Sequence, residues 1–164
     1  MTPLKPFYTN RPYTKVTATN ESSRDSYIID FCVNPVKHIN FSAGPENKLW
    51  LNTCFEVFEF DLESSRYIEW NFSTSGLYNA YLFKDYRKLS YKLGSEAVTG
   101  ISKGANDFSL ITRFPKLLKQ SKLQFSAIIK YKNNSFNYFA QAHLGSKPDF
   151  HQLIGTLSPN IDWY

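Results

Sequence analysis

The sequence predicts an all-β fold: a single-domain antiparallel β-sandwich, jelly-roll-like, with few or no helices, over residues 1–164. Two observations carry this expectation. About ten short segments alternate apolar with polar residues and are rich in aromatic and β-branched side chains, which suit a pleated surface. Turn-forming Gly, Pro, Asn, Asp and Ser separate them at regular spacing, as in sandwiches and jelly rolls. A third observation is negative: no apolar periodicity supports a helix longer than two turns.

Taken in order, residues 1–12 are rich in Pro and Thr and read as a lead-in strand or arm. Residues 13–19 (YTKVTAT) alternate as a first strand, 20–25 make a polar turn, and 27–33 (YIIDFCV) suit a central strand. Asn34-Pro35 ends it. Residues 36–41 are a short strand candidate, followed by a loop around Gly44-Pro45. Residues 54–60, 66–72 and 77–83 form three strands joined by hairpin links at 61–65 and 73–76, where Asp, Ser and Gly supply the turns. Residues 85–93 are a loop or a strand extension, and 94–103 hold a short strand. Residues 108–114 (FSLITRF) alternate up to Pro115, and 116–122 (KLLKQSK) fit one helical turn. Residues 123–132 and 136–143 pair across a tight Asn133-Asn134-Ser135 turn. Residues 144–151 (LGSKPDFH) form a polar loop, and the tail docks through Leu153, Ile154 and Leu157.

The stretch 49–87 organises the chain. Symmetric pairing about 73–76 sets Phe72 against Leu77, Trp70 against Asn79 and Ile68 against Tyr81. Extended to the preceding strand, it sets Glu56 beside Trp70 and Phe58 beside Ile68. One face then gathers Cys54, Glu56, Phe58, Phe60, Ile68, Trp70, Phe72, Leu77, Tyr81 and Phe83, and is expected to be core. Glu59, Tyr67, Glu69, Asn71 and Tyr78 share the amphiphilic opposite face. A one-residue slip in the first strand moves Glu56 across. On an apolar face a carboxylate needs a partner. Either an Arg or backbone N–H groups satisfy Glu56 structurally, or it grips a ligand beside Trp50 and Trp70.

Composition narrows the function classes. With 14 Phe and 11 Tyr, the chain can build a core without disulfides or metal. Cys32 and Cys54 lie in strand-like runs with no C-x-x-C spacing, where free Cys acts as a small hydrophobe. The N-terminus lacks the apolar core of roughly 7–15 residues that a secretory signal carries, and no run reaches membrane-spanning length, so a cytoplasmic location and no membrane partner are expected. The net charge of +5 is spread and interleaved with acidic residues. Its densest zone, residues 116–132, reads as a solvated edge guarded by Lys, and nucleic acid is not the expected partner.

No phosphate-binding glycine loop, nucleophile elbow or zinc pattern is present. His143, Asp149 and His151 bracket one loop and offer imidazole and carboxylate donors, but their spacing fits no strong metal template. Trp50, Trp70, Tyr67, Tyr78, Tyr81, Tyr86 and Tyr91 lie on or beside one sheet among Glu, Asn and Arg. Flat rings that stack on sugar faces, with polar groups nearby for the hydroxyls, make a carbohydrate pocket; a sandwich of this size also needs at least half of them for its core.

At LWLNTCFEVF, YIEWNFSTSGLYNAYLFKDYR and AQAHLGSKPDFH the chain resembles the bacterial DOMON-like domain proteins, relatives of the family 9 carbohydrate-binding modules. The residues carrying the resemblance are Trp50, Thr53, Cys54, Phe55 and Glu56; Glu69, Asn71, Phe72, Ser73, Tyr81, Asp85, Tyr86 and Arg87; and the run Lys147 to His151. The resemblance implies a jelly-roll-like sandwich whose wider relatives bind sugars or haem. Trp50 and Glu56 resemble the aromatic and carboxylate of a sugar slot, whose second Trp corresponds only to Trp163. Met1 is the one methionine, so the Met ligand of haem-binding relatives has no clear counterpart, and no cofactor is expected.

The leading expectation is therefore a non-catalytic module for a small ligand, a carbohydrate first. Trp50 and Tyr81 stack, Glu56, Asn71 and Arg87 bind polar groups, and the loop with His143, Asp149 and His151 closes or supports the site. No metal-ligating or catalytic residue is expected. The alternatives are a structural or protein-interaction domain without a small ligand, and a metal-dependent hydrolase that needs Glu56, Asp149, His143 and His151 to converge.

Overall fold

A computed structural model describes residues 1–42, 44–94 and 96–154; Leu157 and Trp163, invoked above for docking and stacking, lie outside them. Among the described residues there are eleven strands: β1 (Thr2–Pro6), β2 (Lys15–Ser22), β3 (Ser26–Asn34), β4 (Cys54–Asp61), β5 (Tyr67–Ser73), β6 (Tyr78–Asp85), β7 (Lys88–Leu93), β8 (Val98–Lys103), β9 (Phe108–Pro115), β10 (Ser121–Lys130) and β11 (Phe136–Ala140). They hydrogen-bond antiparallel in the order β7-β6-β5-β4-β10-β11-β1-β2-β3-β9-β8. β1 turns the corner. Its residues Thr2, Pro3 and Leu4 pair with β2, whereas Lys5 and Pro6 pair with β11. The ribbon thus folds into two layers, the expected all-β sandwich. Among the described residues the single helical element is a 3-10 turn at Leu49–Leu51, and no helix is long and apolar enough to cross a membrane.

Aromatic side chains join the layers. Phe31 meets Phe55 at 5.1 Å between ring centroids, Phe55 stacks on Phe108 at 5.7 Å, and Trp70 meets Phe114 at 4.7 Å. All five are fully buried. Each large ring removed from water contributes roughly 1.5–3 kcal/mol of transfer free energy.

Two sequence expectations fail locally. Residues 36–41 form a turn with one isolated bridge, Ile39 to Tyr131, because Val36 N–H donates to Asn106 and Ile39 N–H turns back to Val36. Residues 116–120 are not helical: the Leu118 N–H is taken by Glu59 Oε1, and Gln120 C=O by the Leu62 N–H.

The register of the central hairpins is corrected by one residue at each turn. Phe72 pairs with Tyr78, Trp70 with Ala80 and Glu69 with Tyr81. On the other side Glu56 pairs with Asn71 and Phe58 with Glu69. Both loops are one residue longer than assumed. In the β5–β6 link Ser73 N–H bonds Leu77 C=O, and Gly76, at φ +87°, supplies the left-handed residue that closes it. In the β4–β5 link Asp61 accepts from Glu63 N–H, Ser64 and Arg66, the last at 2.8 Å, and holds a six-residue loop. β5 keeps its expected sides, with Ile68, Trp70 and Phe72 in the sandwich, while β4 and β6 turn over, so that Phe55 and Val57 point inward instead. Tyr67, Glu69 and Asn71 turn outward with Glu56, Phe58, Tyr81 and Phe83. Glu56 therefore does not sit on the core face, and Trp70 is not its neighbour.

Candidate ligand-binding cleft

The outward face of β4 and β5 is buried as well as the inward one, and that of β6 is largely covered. Residues 141–154 cross it, and the 3-10 turn flanks it. Between them lies a cleft of about 420 Å³, within the size range of small-molecule pockets.

One wall is aromatic and projects from a well-anchored turn. Leu49 is buried against Cys54 and Ile128, Thr53 Oγ donates to Asn40 C=O at 2.8 Å, and Lys130 Nζ donates to Asn52 at 3.1 Å. This leaves Trp50 beside the cleft, 36% exposed, edge-on to Tyr81 at 6.2 Å and 70°. The opposite wall is formed by Tyr138 and Phe150, 6.3 Å apart, with Ile128.

The floor is polar and closed off from water. Glu56 and Glu69 both line it, at 3% and 8% exposure. They are diagonal neighbours on adjacent strands, because Glu56 opposes Asn71, two residues from Glu69 on the same face. Glu56 Oε2 accepts from Ser126 at 2.8 Å, and Glu69 Oε1 accepts from Asn71 Nδ2 at 2.7 Å. Burial, then the Glu69 charge, pushes the Glu56 carboxyl up to about 8; burial also raises Glu69, against the Asn71 hydrogen bond and the Arg87 charge. Burial likewise lifts the Cys54 thiol, which donates to Asn71, well above its ordinary range, so it is no nucleophile.

A hydrogen-bonded chain fixes the third side. Arg87 N–H donates to the Tyr67 hydroxyl at 3.1 Å, and that hydroxyl lies 2.7 Å from His151 Nδ1. Among the described residues the phenol's own hydrogen has no acceptor but Nδ1, so the phenol donates to it. The network therefore assigns the His151 proton to Nε2, which faces Glu69 Oε2 at 3.9 Å. Burial and the nearby Arg87 charge push the imidazole down to about 4, so it is neutral at physiological pH. Arg87 itself has φ +53°, a strained backbone at the β6–β7 turn, and its guanidinium pairs with Asp149 at 3.0 Å. Burial alone would raise Asp149, but Tyr86, the His151 N–H and Arg87 together hold it low.

Of the eight residues singled out in the sequence, Trp50, Glu56, Tyr81, Arg87 and His151 line the cleft. Asn71 lies fully buried behind Glu69, and Asp149 grips Arg87 from behind. His143 is not brought in: its Nε2 contacts Lys5 C=O at 2.8 Å, and its ring packs on Phe7. The hydrolase constellation therefore does not converge, and no three His, Cys, Asp or Glu side chains among the described residues could hold a metal ion. Sequence reasoning missed Glu69, Tyr67, Phe83, Tyr138 and Phe150 as site residues. The signal for the first two was parity: Tyr67, Glu69 and Asn71 share a face with Glu56 once the Asp61 loop is counted as six residues.

No protein-family model and no curated protein matches the chain. Among solved structures, it is similar to a candidate carbohydrate-binding protein from Bacteroides uniformis, with a TM-score of 0.65 at 13% identity over 92% of this chain and 81% of the other. It is also similar to a family 9 carbohydrate-binding module from Caldicellulosiruptor kristjanssonii in complex with glucose, with a TM-score of 0.48 at 7% identity over 80% and 69% of the two chains. At these identities the first likeness bears on the fold, and nothing is rested on the second.

Proposed function

We propose that the cleft is the binding site of a non-catalytic carbohydrate-binding sandwich, of the kind represented by DOMON-like proteins and family 9 modules. One observation carries the reading: a half-exposed Trp50 ring stands on an anchored turn beside a floor of buried, directed polar groups. A sugar presents the same two kinds of surface, an apolar C–H face and a rim of hydroxyls. Trp50, with Tyr81 edge-on to it, takes the face. Glu56, Glu69 and Arg87 take the rim, and Tyr67, Asn71, Asp149 and His151 hold those groups in place. His143 supports the loop from outside.

A thermal-shift screen against mono- and oligosaccharides tests this. A ligand at roughly 100 times its dissociation constant adds about 2.7 kcal/mol, or about 5–10 °C for a chain of this size. A shift with one sugar family and none with the others supports the reading; no shift with any sugar overturns it. A protein-interaction domain is the second reading, favoured by Leu89 and Tyr91 on edge strand β7, both more than half exposed. It expects a partner chain on β7 and no response to sugars.

A further inference from the structure

The cleft floor brings two carboxyl groups together. Glu56 comes from β4 and Glu69 from β5, and both side chains are more than nine-tenths buried. Among the described residues, neither has a Lys or Arg nitrogen within ion-pair distance. Arg87, the nearby cation, is engaged by Asp149 at 3.0 Å. His151, the remaining candidate, is held neutral with Nε2–H directed at Glu69 from 3.9 Å. The other groups packed around the pair carry no positive charge: Cys54 on β4, Tyr81 on β6, Ser126 on β10 and Tyr138 on β11. Glu56 Oε2 receives the Ser126 hydroxyl, whereas Oε1 has no donor among the described residues and belongs to a side chain that lines the cavity. A carboxylate oxygen left without a protein donor at the edge of a cavity is open to a donor supplied from outside.

Resting on the carbohydrate reading, we propose that this site selects an amino sugar with a free, unacetylated amine, whose ammonium sits between Glu56 and Glu69. The chemistry fits on three counts. An ammonium brings three donors and one positive charge to two carboxylates that hold four acceptor oxygens between them. Charge-assisted bonds are roughly twice as strong as neutral ones, and the buried floor strengthens them further. Trp50, Tyr81 and Tyr138 place aromatic rings around the same space, which attracts cations and not neutral amides. A neutral sugar offers only hydroxyl donors and leaves the carboxylate pair to share its proton. The overall charge of +5 opposes a cation only weakly, because it is spread over the surface and screened within about 8–10 Å at physiological salt.

The test is calorimetric titration of the intact protein with glucose, galactose and mannose, their 2-amino counterparts and their 2-acetamido counterparts, at a pH where the amines are protonated. At least one amino hexose should bind about tenfold or more tighter than both of its neutral counterparts. Binding near neutral pH should release a proton, read as a dependence of the heat on the buffer's ionisation enthalpy. Glu56→Gln and Glu69→Gln should each abolish the preference without lowering the unfolding midpoint. Neutral hexoses binding as well as the amino hexoses would overturn this proposal and leave the carbohydrate reading standing. No binding by any member of the panel would overturn both.

Discussion

β4 carries two buried glutamates three residues apart, and they face opposite sides of the same sheet. Glu59 points into the sandwich, where its Oε1 collects the Leu118 N–H at 3.2 Å, the Ser121 hydroxyl at 3.1 Å and the Tyr27 hydroxyl at 3.4 Å. Those donors come from two separate segments, so Glu59 ties the 116–121 loop and β3 to β4. Glu56 points outward into the cleft and receives one hydroxyl. The other oxygen of Glu59 is buried without a partner, so what sets the two apart is the cavity beside Glu56 and not the number of donors alone. The same contrast separates the two faces of β5. Trp70 and Phe72 are fully buried in the core, and Tyr67, Glu69 and Asn71, almost as buried, form a connected polar network.

Substitutions on the two faces should part accordingly. Trp70→Ala should cost the most, about 3–5 kcal/mol in denaturant unfolding, because it empties a core volume shared with Phe114. Glu59→Ala should cost about 1–3 kcal/mol, since it strands the Leu118 N–H and leaves the Tyr27 and Ser121 hydroxyls only each other; a loss below about 0.5 kcal/mol would mean the loop does not depend on it. Glu56→Gln should show the opposite sign and a pH dependence. The folded carboxyl is raised to about 8 from its ordinary value, so its stabilising protonated form is complete at low pH and is lost as pH rises toward 8. The variant removes that loss. Its melting temperature should match the parent near about pH 4 and exceed it increasingly toward about pH 8, by about 2–4 °C for each kcal/mol. A constant offset across that range would contradict the assignment of Glu56 as a strained carboxyl. Tyr67→Phe should have the smallest effect on stability, about 1 kcal/mol, by orphaning the Arg87 N–H. It should also free His151 Nδ1, visible as a changed imidazole tautomer in nitrogen NMR.

The sequence made the sandwich legible because alternation and turn chemistry are local signals. The strands at 27–33, 54–60 and 108–114 were placed within a residue or two of β3, β4 and β9. The face assignment was not local. It hung on whether Ser73 to Leu77 and Asp61 to Arg66 span one residue more or less, and that was decided by the left-handed Gly76 and by the side chain of Asp61. One residue per loop left Trp70 in the core and Glu69 on the opposite face, where the sequence put them, and moved Glu56, Phe58, Tyr81 and Phe83 across to join Glu69. Trp50, Tyr81 and Arg87 come together at the cleft because they sit at a loop, a strand and a turn whose side chains reach one side. His143 was misleading because proximity in sequence to His151 is not proximity in space: β11 ends at Ala140, and its following residues turn back toward β1.

The most direct test of the account is the pair of quantities measured on Trp50→Ala: affinity for the best sugar in calorimetry, and the unfolding midpoint. The ring is 36% exposed and stands on a turn anchored by Leu49 and Thr53, so its loss should leave the midpoint within about 2–4 °C of the parent, as for a change of about 1 kcal/mol. Affinity should fall about tenfold or more, the equivalent of about 1.4 kcal/mol. Unchanged affinity, or a midpoint that collapses together with it, would make Trp50 a packing residue and remove the sugar face from the cleft.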